Sequence, residues 1–268
     1  MSEVSSVELS PVARTLLIPL AFRAAESQHP DAILRDEQAL ELASRLDPGC
    51  LPKVNLKEMD FVCTMMRARQ FDRFAQGFLR EHPGGTVVDI GCGLDTRFGR
   101  IDNGQMRWVG LDLPEVIAIR RGLLPDAPRS RLIGSSALEF DWMDVVVPPV
   151  IFLAEGVLVY FRGDDVKRLV LELQKRFPGC ELVFDSLTNT SIRIHRLSPA
   201  MRWAALQVQW GLDESEGLEA WGKGIRLLEE WLYFDRPEPR LGLYNLMRHI
   251  PFLARANRVL RYRLGMVE

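Results

Sequence analysis

Metal and disulfide frameworks have little to draw on here, because the 268-residue chain holds four cysteines and four histidines. Cys50, Cys63, Cys92 and Cys180 show no CxxC spacing, and the histidines complete no zinc-ligand pattern. No metal and no disulfide scaffold is therefore expected. Any run of about 20 apolar residues, the length a membrane helix needs, is missing as well. The apolar stretch "LLIPLAF" is short, lies between Arg14 and Arg23, and leads to no small-residue cleavage pattern, so it is not a secretory signal. Neither sign of charge dominates, since 34 Lys+Arg against 36 Asp+Glu leave a net charge of −2. That balance removes the electrostatic footprint of a protein that grips nucleic acid or an anionic membrane. Internal repeats and low-complexity tracts are absent too. The expectation is a cytoplasmic protein with a small-molecule partner and no nucleic-acid or membrane partner; its oligomeric state stays open.

What is present describes a globular chain, 47% apolar and 26% charged, long enough to bury a sizeable core. Before Pro83 the pattern predicts helices at about 12–25, 31–46 and 58–80. The last of these sets Phe61, Met65, Phe71, Phe74 and Phe78 mostly three or four residues apart, with charges between them. Pro83-Gly84-Gly85 ends the helical part. Strands and helices then alternate: "TVVDIG", "MRWVGLD", a helix over Pro114 to Leu123, "SRLIGS", "PVIFLAEG", a helix from about Asp164 to Phe177, and "ELVFDS". Such alternation predicts an α/β fold, a parallel sheet with helices on both faces and right-handed crossovers. The last third, with Trp203, Trp210, Trp221 and Trp231, reads as mostly helical and ends in a strand at "RVLRYRLGMV". The expected organisation is a helical cover over residues 1–82 and a core over 83–268, with a helical insertion at about 189–250.

The β-branched run of "TVVDIGCGLDTR" reads as a buried strand that breaks at Gly91 and Gly93, where the chain turns without side chains to obstruct a ligand. Ligands of open α/β sheets sit beyond the carboxyl ends of the strands, and the first strand-to-helix turn is the usual place. A lone GxG also fits a tight turn with nothing bound. Asp112 tips the balance, because it ends the second strand about 20 residues on, where a carboxylate accepts hydrogen bonds from both hydroxyls of a ribose. The third glycine of a dinucleotide fingerprint is missing, and Asp95 at the helix entrance would repel a pyrophosphate. A cofactor with ribose and adenine but no phosphate fits, which points to S-adenosylmethionine (SAM).

The motifs "RARQFDRFAQGFLR", "VVDIGCGLDTR", "WVGLDLPEVI", "SALEFDWMD", "FLAEGVLVYF" and "LVFDS", in this order, resemble the leucine carboxyl methyltransferase family. Within it they are most similar to the bacterial branch of tetracenomycin-type polyketide O-methyltransferases. The resemblance covers about residues 14 to 190 well and the tail loosely. It implies a Rossmann-like class I SAM-dependent methyltransferase sheet with an N-terminal helical lid. Residue by residue, it implies that Arg67 pairs with the cofactor's carboxylate, as a guanidinium can do bidentately; Arg69 stands close enough to exchange places with it. Gly91 and Gly93 fall on the methionine part and ribose, Asp112 and Leu113 on the ribose and adenine edge, and Glu155 on the cofactor side of the cleft; Asp89, just before the glycines, is a further cofactor-binding candidate. Tyr160 matches a tyrosine that faces the substrate and is the catalytic candidate, although an aromatic there equally suits a core. Protein-methylating members carry an aspartate after the third strand to meet the adenine amino group. This chain instead reads Ser135-Ser136-Ala137-Leu138, so that contact passes to Ser136 and the backbone near Ala137. Asp95 and Arg97 of "GLDTR" either serve the site or form a helix cap.

The implied activity is SAM-dependent methyl transfer to a carboxyl or phenolic oxygen of a small metabolite such as an aromatic polyketide. A carboxylate is ionised near pH 7 and needs no base, whereas a phenol of pKa about 10 is helped by one. No histidine adjoins the motifs; His195 is the nearest candidate. Three alternatives stand beside this reading: carboxyl methylation of a protein C-terminus, an NAD-dependent oxidoreductase, and a noncatalytic SAM-fold binding protein.

Overall fold

The computed structural model describes residues 11–46, 51, 59–124, 127–197 and 207–265, without the side chains of 11–15 and of His195. Cys50, Trp203 and the His195 side chain lie outside the described residues. Three helices lead: α1 (Pro11–Ser27), α2 (Glu37–Ser44) and α3 (Met59–Glu81). Then come β1 (Thr86–Ile90), α4 (Arg97–Ile101), β2 (Arg107–Asp112), α5 (Pro114–Leu123), β3 (Ser130–Gly134), β4 (Val150–Ala154), α6 (Gly163–Arg176) and β5 (Cys180–Leu187). After α7 (Asn189–Leu197), β6 (Ile225–Leu232) and β7 (Asn257–Leu264) complete a seven-stranded sheet of order β3-β2-β1-β4-β5-β7-β6.

Strands β1 to β5 are parallel, while β7 runs antiparallel to both β5 and β6. The strand order reverses between β1 and β4, which opens a crevice at their carboxyl ends. Alternation along each strand sorts the core into two layers. Val88, Ile90, Phe152, Ala154, Leu182 and Phe184 join Val166, Leu169, Val170 and Leu173 of α6 on one face. Val87, Trp108, Ile151, Leu153 and Val183 meet Phe61, Met65, Phe71, Phe74 and Phe78 of α3 on the other. The phenylalanine spacing of α3 is thus the stripe that covers the sheet.

The same period-2 count carries forward to the strand ends. Asp89 shares parity with Val87, Asp112 with Trp108, Glu155 with Ile151 and Leu153, and Asp185 with Val183. Asp89, Glu155 and Asp185 therefore belong to the α3 side of the sheet, where Arg67 of α3 meets Glu155 and Asp185, while Asp112 lies beside the loop after β1.

One expected element differs. Residues 225–232, inside the stretch read as a helical insertion, form strand β6. A bulge between Leu227 and Glu229 leaves Leu228 outside the register with β7 and 40% exposed. The extra residue breaks the period-2 pattern and sets two leucines side by side, which hides a strand from periodicity. Helix α2 is also shorter than the expected 31–46, because Asp36 caps it through its carboxylate on the Ala39 N–H, 2.8 Å away.

Candidate functional site

The turn after β1 is fastened to its neighbours before any ligand arrives. Gly91 and Cys92 donate their N–H groups to the Leu111 carbonyl at 2.7 and 3.1 Å. Gly91 takes φ +72°, and a Cβ there would stand 2.3 Å from Val157 Cγ2, so a side chain is barred by both backbone and space. Arg120 donates to the Gly93 carbonyl at 2.9 Å. Asp112 completes the loop: its Oδ2 accepts from Gly93 N and its Oδ1 from Leu113 N, each at 2.8 Å. Every carboxylate oxygen has a second lone pair, so the pair of acceptors a ribose needs remains.

Two adjoining cavities flank this loop. One, of about 250 Å³, is lined by Asp112, Leu113, Ser136, Ala137, Val157 and Phe161, among others. The second, of about 350 Å³, is lined by Arg23, Arg67, Asp89, Gly93, Asp95 and Glu155 among others. Gly91, Gly156, Val157 and Tyr160 border both. Tyr160 is half-exposed at that shared edge. The Ser136 hydroxyl accepts from Leu138 N at 3.2 Å, which turns the chain along the first cavity. Arg67, Asp89, Gly91, Gly93, Asp112, Leu113, Ser136, Ala137, Glu155 and Tyr160 thus each line one cavity or the other, whereas Arg97 and Arg69 line neither, and Arg69 faces Glu238 instead, at 4.0 Å. A larger groove of about 760 Å³ lies at the opposite end of the strands, against His82, Pro149 and Arg263, away from all the strand-end carboxylates.

Around the second cavity four arginines interleave with carboxylates. Arg67 of α3 donates Nε to Glu155 at 3.0 Å and Nη1 to Asp185 at 2.9 Å. Arg97, fully buried at the start of α4, donates Nε to Asp72 at 2.6 Å and pairs with Asp95 at 2.6 Å and with the second oxygen of Glu155. Its guanidinium lies over the Phe71 ring, 5.5 Å from the centroid. Arg100 holds the other oxygen of Asp72 at 2.7 Å and reaches Asp36. Arg23 of α1 donates to the Leu94 carbonyl at 2.9 Å. Burial alone would raise the carboxyls of Asp95 and Glu155, yet the arginines hold both below the usual range. Asp89 has weaker support, from Arg97 at 3.8 Å and from Arg120: its Oδ2 makes no hydrogen bond, and burial with the neighbouring Asp95 pushes it up to about 8.

Asp95 lines the second cavity and also holds the start of α4. Its Oδ1 accepts from Arg97 N at 2.9 Å, a cap-like contact, while its other oxygen pairs with the Arg97 guanidinium. Sequence reasoning missed Arg23, Asp72 and Asp185. The position of Asp185 in "LVFDS", at the carboxyl end of a parallel strand, was the available signal for one of them.

The open sheet with an antiparallel β7, the glycine turn after β1 and the carboxylate ending β2 define a class I SAM-dependent methyltransferase. The residues fit that cofactor: an adenosine-sized cavity lies beside Asp112, and a second, carboxylate-lined one suits a sulfonium and an ammonium group. The magnesium protoporphyrin IX methyltransferase ChlM of Synechocystis, solved with S-adenosylhomocysteine bound, shares the fold with a TM-score of 0.50 at 12% identity, over 85% of this chain and 93% of that one. The chain belongs to the leucine carboxyl methyltransferase family, whose model matches residues 17–174. Among its relatives, the tetracenomycin polyketide synthesis O-methyltransferase TcmP of Streptomyces glaucescens is 32% identical, over 96% of this chain and 98% of its own length. The SAM-dependent methyltransferase dpfgK of Gibberella zeae is 28% identical over 89% and 87%. The NAD-dependent and noncatalytic alternatives fall with this membership. No helix among the described residues is long and apolar enough to cross a membrane, and none of their His, Cys, Asp and Glu side chains cluster as a metal site.

Proposed function

We propose that this methyltransferase acts in the cytoplasm on a carboxylate oxygen of a small, largely apolar metabolite such as an aromatic polyketide acid. The observation that carries the reading is the chemistry of the cavity walls. Neither cavity is lined by a histidine or a lysine among the described residues. A carboxylate acceptor is already ionised at neutral pH and asks for no base. The likeness to a polyketide O-methyltransferase supports the metabolite class. So does the connection between β6 and β7, on the carboxyl side of the sheet, which exposes Leu243, Tyr244, Leu246, Ile250 and Phe252.

When bound, SAM supplies an electrophilic methyl group on its sulfonium. The chain's own task is then orientation and exclusion of water. Asp112 and Leu113 hold the ribose and adenine edge, with Ser136 and Ala137 beyond them. Gly91 and Gly93 allow close backbone approach, and Asp89 and Glu155 face the amino-acid part. Tyr160 stands at the shared edge of the cavities, where an acceptor meets the methyl group. The helices of residues 1–82 serve as the cover, a role supported by Leu16, Pro19, Arg23 and Arg67 in the cavity wall.

The test uses methyl-labelled SAM with a panel of aromatic carboxylic acids and matched phenols, followed by mild alkali. Label that transfers and is then released as methanol supports a methyl ester. Label that survives alkali identifies an aryl methyl ether and rejects the carboxylate.

A further inference from the structure

The connection between β6 and β7, residues 233–256, carries apolar surface that neither the core nor the cofactor cavities use. Leu243 is 85% exposed, and Tyr244, Leu246, Ile250 and Phe252 are between 40% and 60% exposed. Looseness does not account for this. Asn245 closes the chain on itself, its Oδ1 accepting from Glu238 N at 2.9 Å and its Nδ2 donating to the Glu238 and Gly242 carbonyls at 2.8 and 3.0 Å. Arg240 donates to both oxygens of the fully buried Glu26 of α1, at 2.7 and 2.8 Å, and lies over the Phe61 ring. Leu241 and Met247 pack into the α3 layer of the core. The inward residues hold the segment, and the outward ones are thereby presented to solvent on a fixed frame.

The charge along the same connection narrows what that surface fits. Arg236, Arg248 and Arg255 are exposed against a single exposed acid, Asp235, whereas the whole chain carries a net charge of −2. Whole-chain balance therefore averages away a local excess of positive charge. A second copy docked by a two-fold would set these arginines against themselves. Protein partners anchor side chains in desolvated pockets, yet neither cofactor cavity nor the groove at the opposite end of the strands draws a residue from 233–256. Leucines standing out from a cationic surface with a tyrosine and a phenylalanine among them suit the headgroup layer of a bilayer instead, with apolar groups at the acyl boundary and arginines at the phosphates.

We propose that the β6–β7 connection docks this enzyme on an anionic lipid surface, with Leu243, Tyr244, Leu246, Ile250 and Phe252 entering the headgroup boundary and Arg236, Arg248 and Arg255 pairing with lipid phosphates. The connection leaves the carboxyl side of the sheet, the side on which the cofactor cavities lie. Docking thus brings the site close to the phase into which an apolar acceptor partitions. It does not depend on which oxygen is methylated.

The test is co-sedimentation of the full chain with vesicles of phosphatidylcholine alone and of phosphatidylcholine and phosphatidylglycerol in equal parts, at low and high salt. Three arginines opposed by one acid correspond to about 30-fold tighter binding to the anionic vesicles at low salt, a preference that salt should erode. Leu243→Glu with Leu246→Glu should weaken that binding at least about 10-fold while the melting temperature stays within about 2 °C of the wild type. Leu243→Ser, at the most exposed position, stands in if the double variant does not fold. Arg248→Glu with Arg255→Glu should abolish the preference for anionic over neutral vesicles. A wild type that fails to sediment with anionic vesicles at low salt, or binds both compositions equally, overturns the proposal. Binding that survives the two leucine substitutions overturns it as well, and so does a dimer in sedimentation velocity that those substitutions dissociate, since a second copy would then cover the surface.

Discussion

Replacing Asp89 by asparagine should flatten the pH dependence of folding stability between about pH 5 and 8, since it removes one linked proton. Asp89 is 2% exposed at the end of β1, and its nearest cation, Arg97 Nη1, is 3.8 Å from Oδ1. Burial, Asp95 and Glu155 raise its carboxyl from an ordinary 3.8 to about 8, against the pull of Arg97 and Arg120. Across that window the folded chain keeps a proton that the unfolded chain has lost. The contribution is fully present below the unfolded pKa and is lost as pH rises through the folded one, at a slope of up to about 1.4 kcal/mol per pH unit. Asparagine has the same shape and never ionises, so the variant escapes this loss. Asp95 and Glu155, whose carboxyls are held low, act below the window, because stability from a depressed carboxyl is present above its unfolded pKa and falls only in acid. Urea unfolding of both proteins at pH 5, 6, 7 and 8 without cofactor measures the effect. The stability difference should move in favour of the variant by about 1 kcal/mol for each pH unit above 5. Parallel curves would mean that Asp89 ionises alike in both states, and the reading of its burial would fail.

Two further outcomes follow from the same contacts. Asp112→Ala removes the ribose acceptors and also releases Gly93 N and Leu113 N, so SAM affinity should fall by about 1.5–3 kcal/mol in calorimetry. A folded variant with unchanged affinity would place the ribose elsewhere. Arg97→Met deprives Asp72, Asp95 and Glu155 of their shared cation and should cost about 3–5 kcal/mol in chemical denaturation at pH 7. A loss below about 1 kcal/mol, the scale of a surface ion pair, would show that the network is solvated.

The sequence was legible wherever one period ran without interruption. The phenylalanine stripe of α3 and the apolar runs of β1 to β5 each repeat a single geometry, and their bounds fall within a few residues of expectation. Strand β6 was not, since the bulge at Leu228 erases its alternation. The site divides in the same way. Asp112 and Glu155 announce themselves because a charge directly after a buried strand is costly without a role. Arg23 sits in an apolar helix with no motif around it. Asp185 owes its significance to Arg67, 118 residues earlier in the chain, and no local pattern encodes that pairing.

The ion-pair network is poorly explained as a stabilising device, because burying a salt bridge costs about as much in desolvation as it returns in attraction. Its effect on charge state is the better account. A cavity built to receive a sulfonium needs negative charge in a poorly hydrated wall, and carboxyls gathered there would simply take up protons. Asp89, with its nearest cation 3.8 Å away, shows that outcome. Asp95 and Glu155 escape it because Arg97 touches both, with Arg67 and Arg100 behind them. The same bridges join α3, α4 and the ends of β4 and β5, so the groups that keep Glu155 ionised also fix where it points. An arginine lost from this network should therefore disturb the protonation of the cavity and the placement of its walls together.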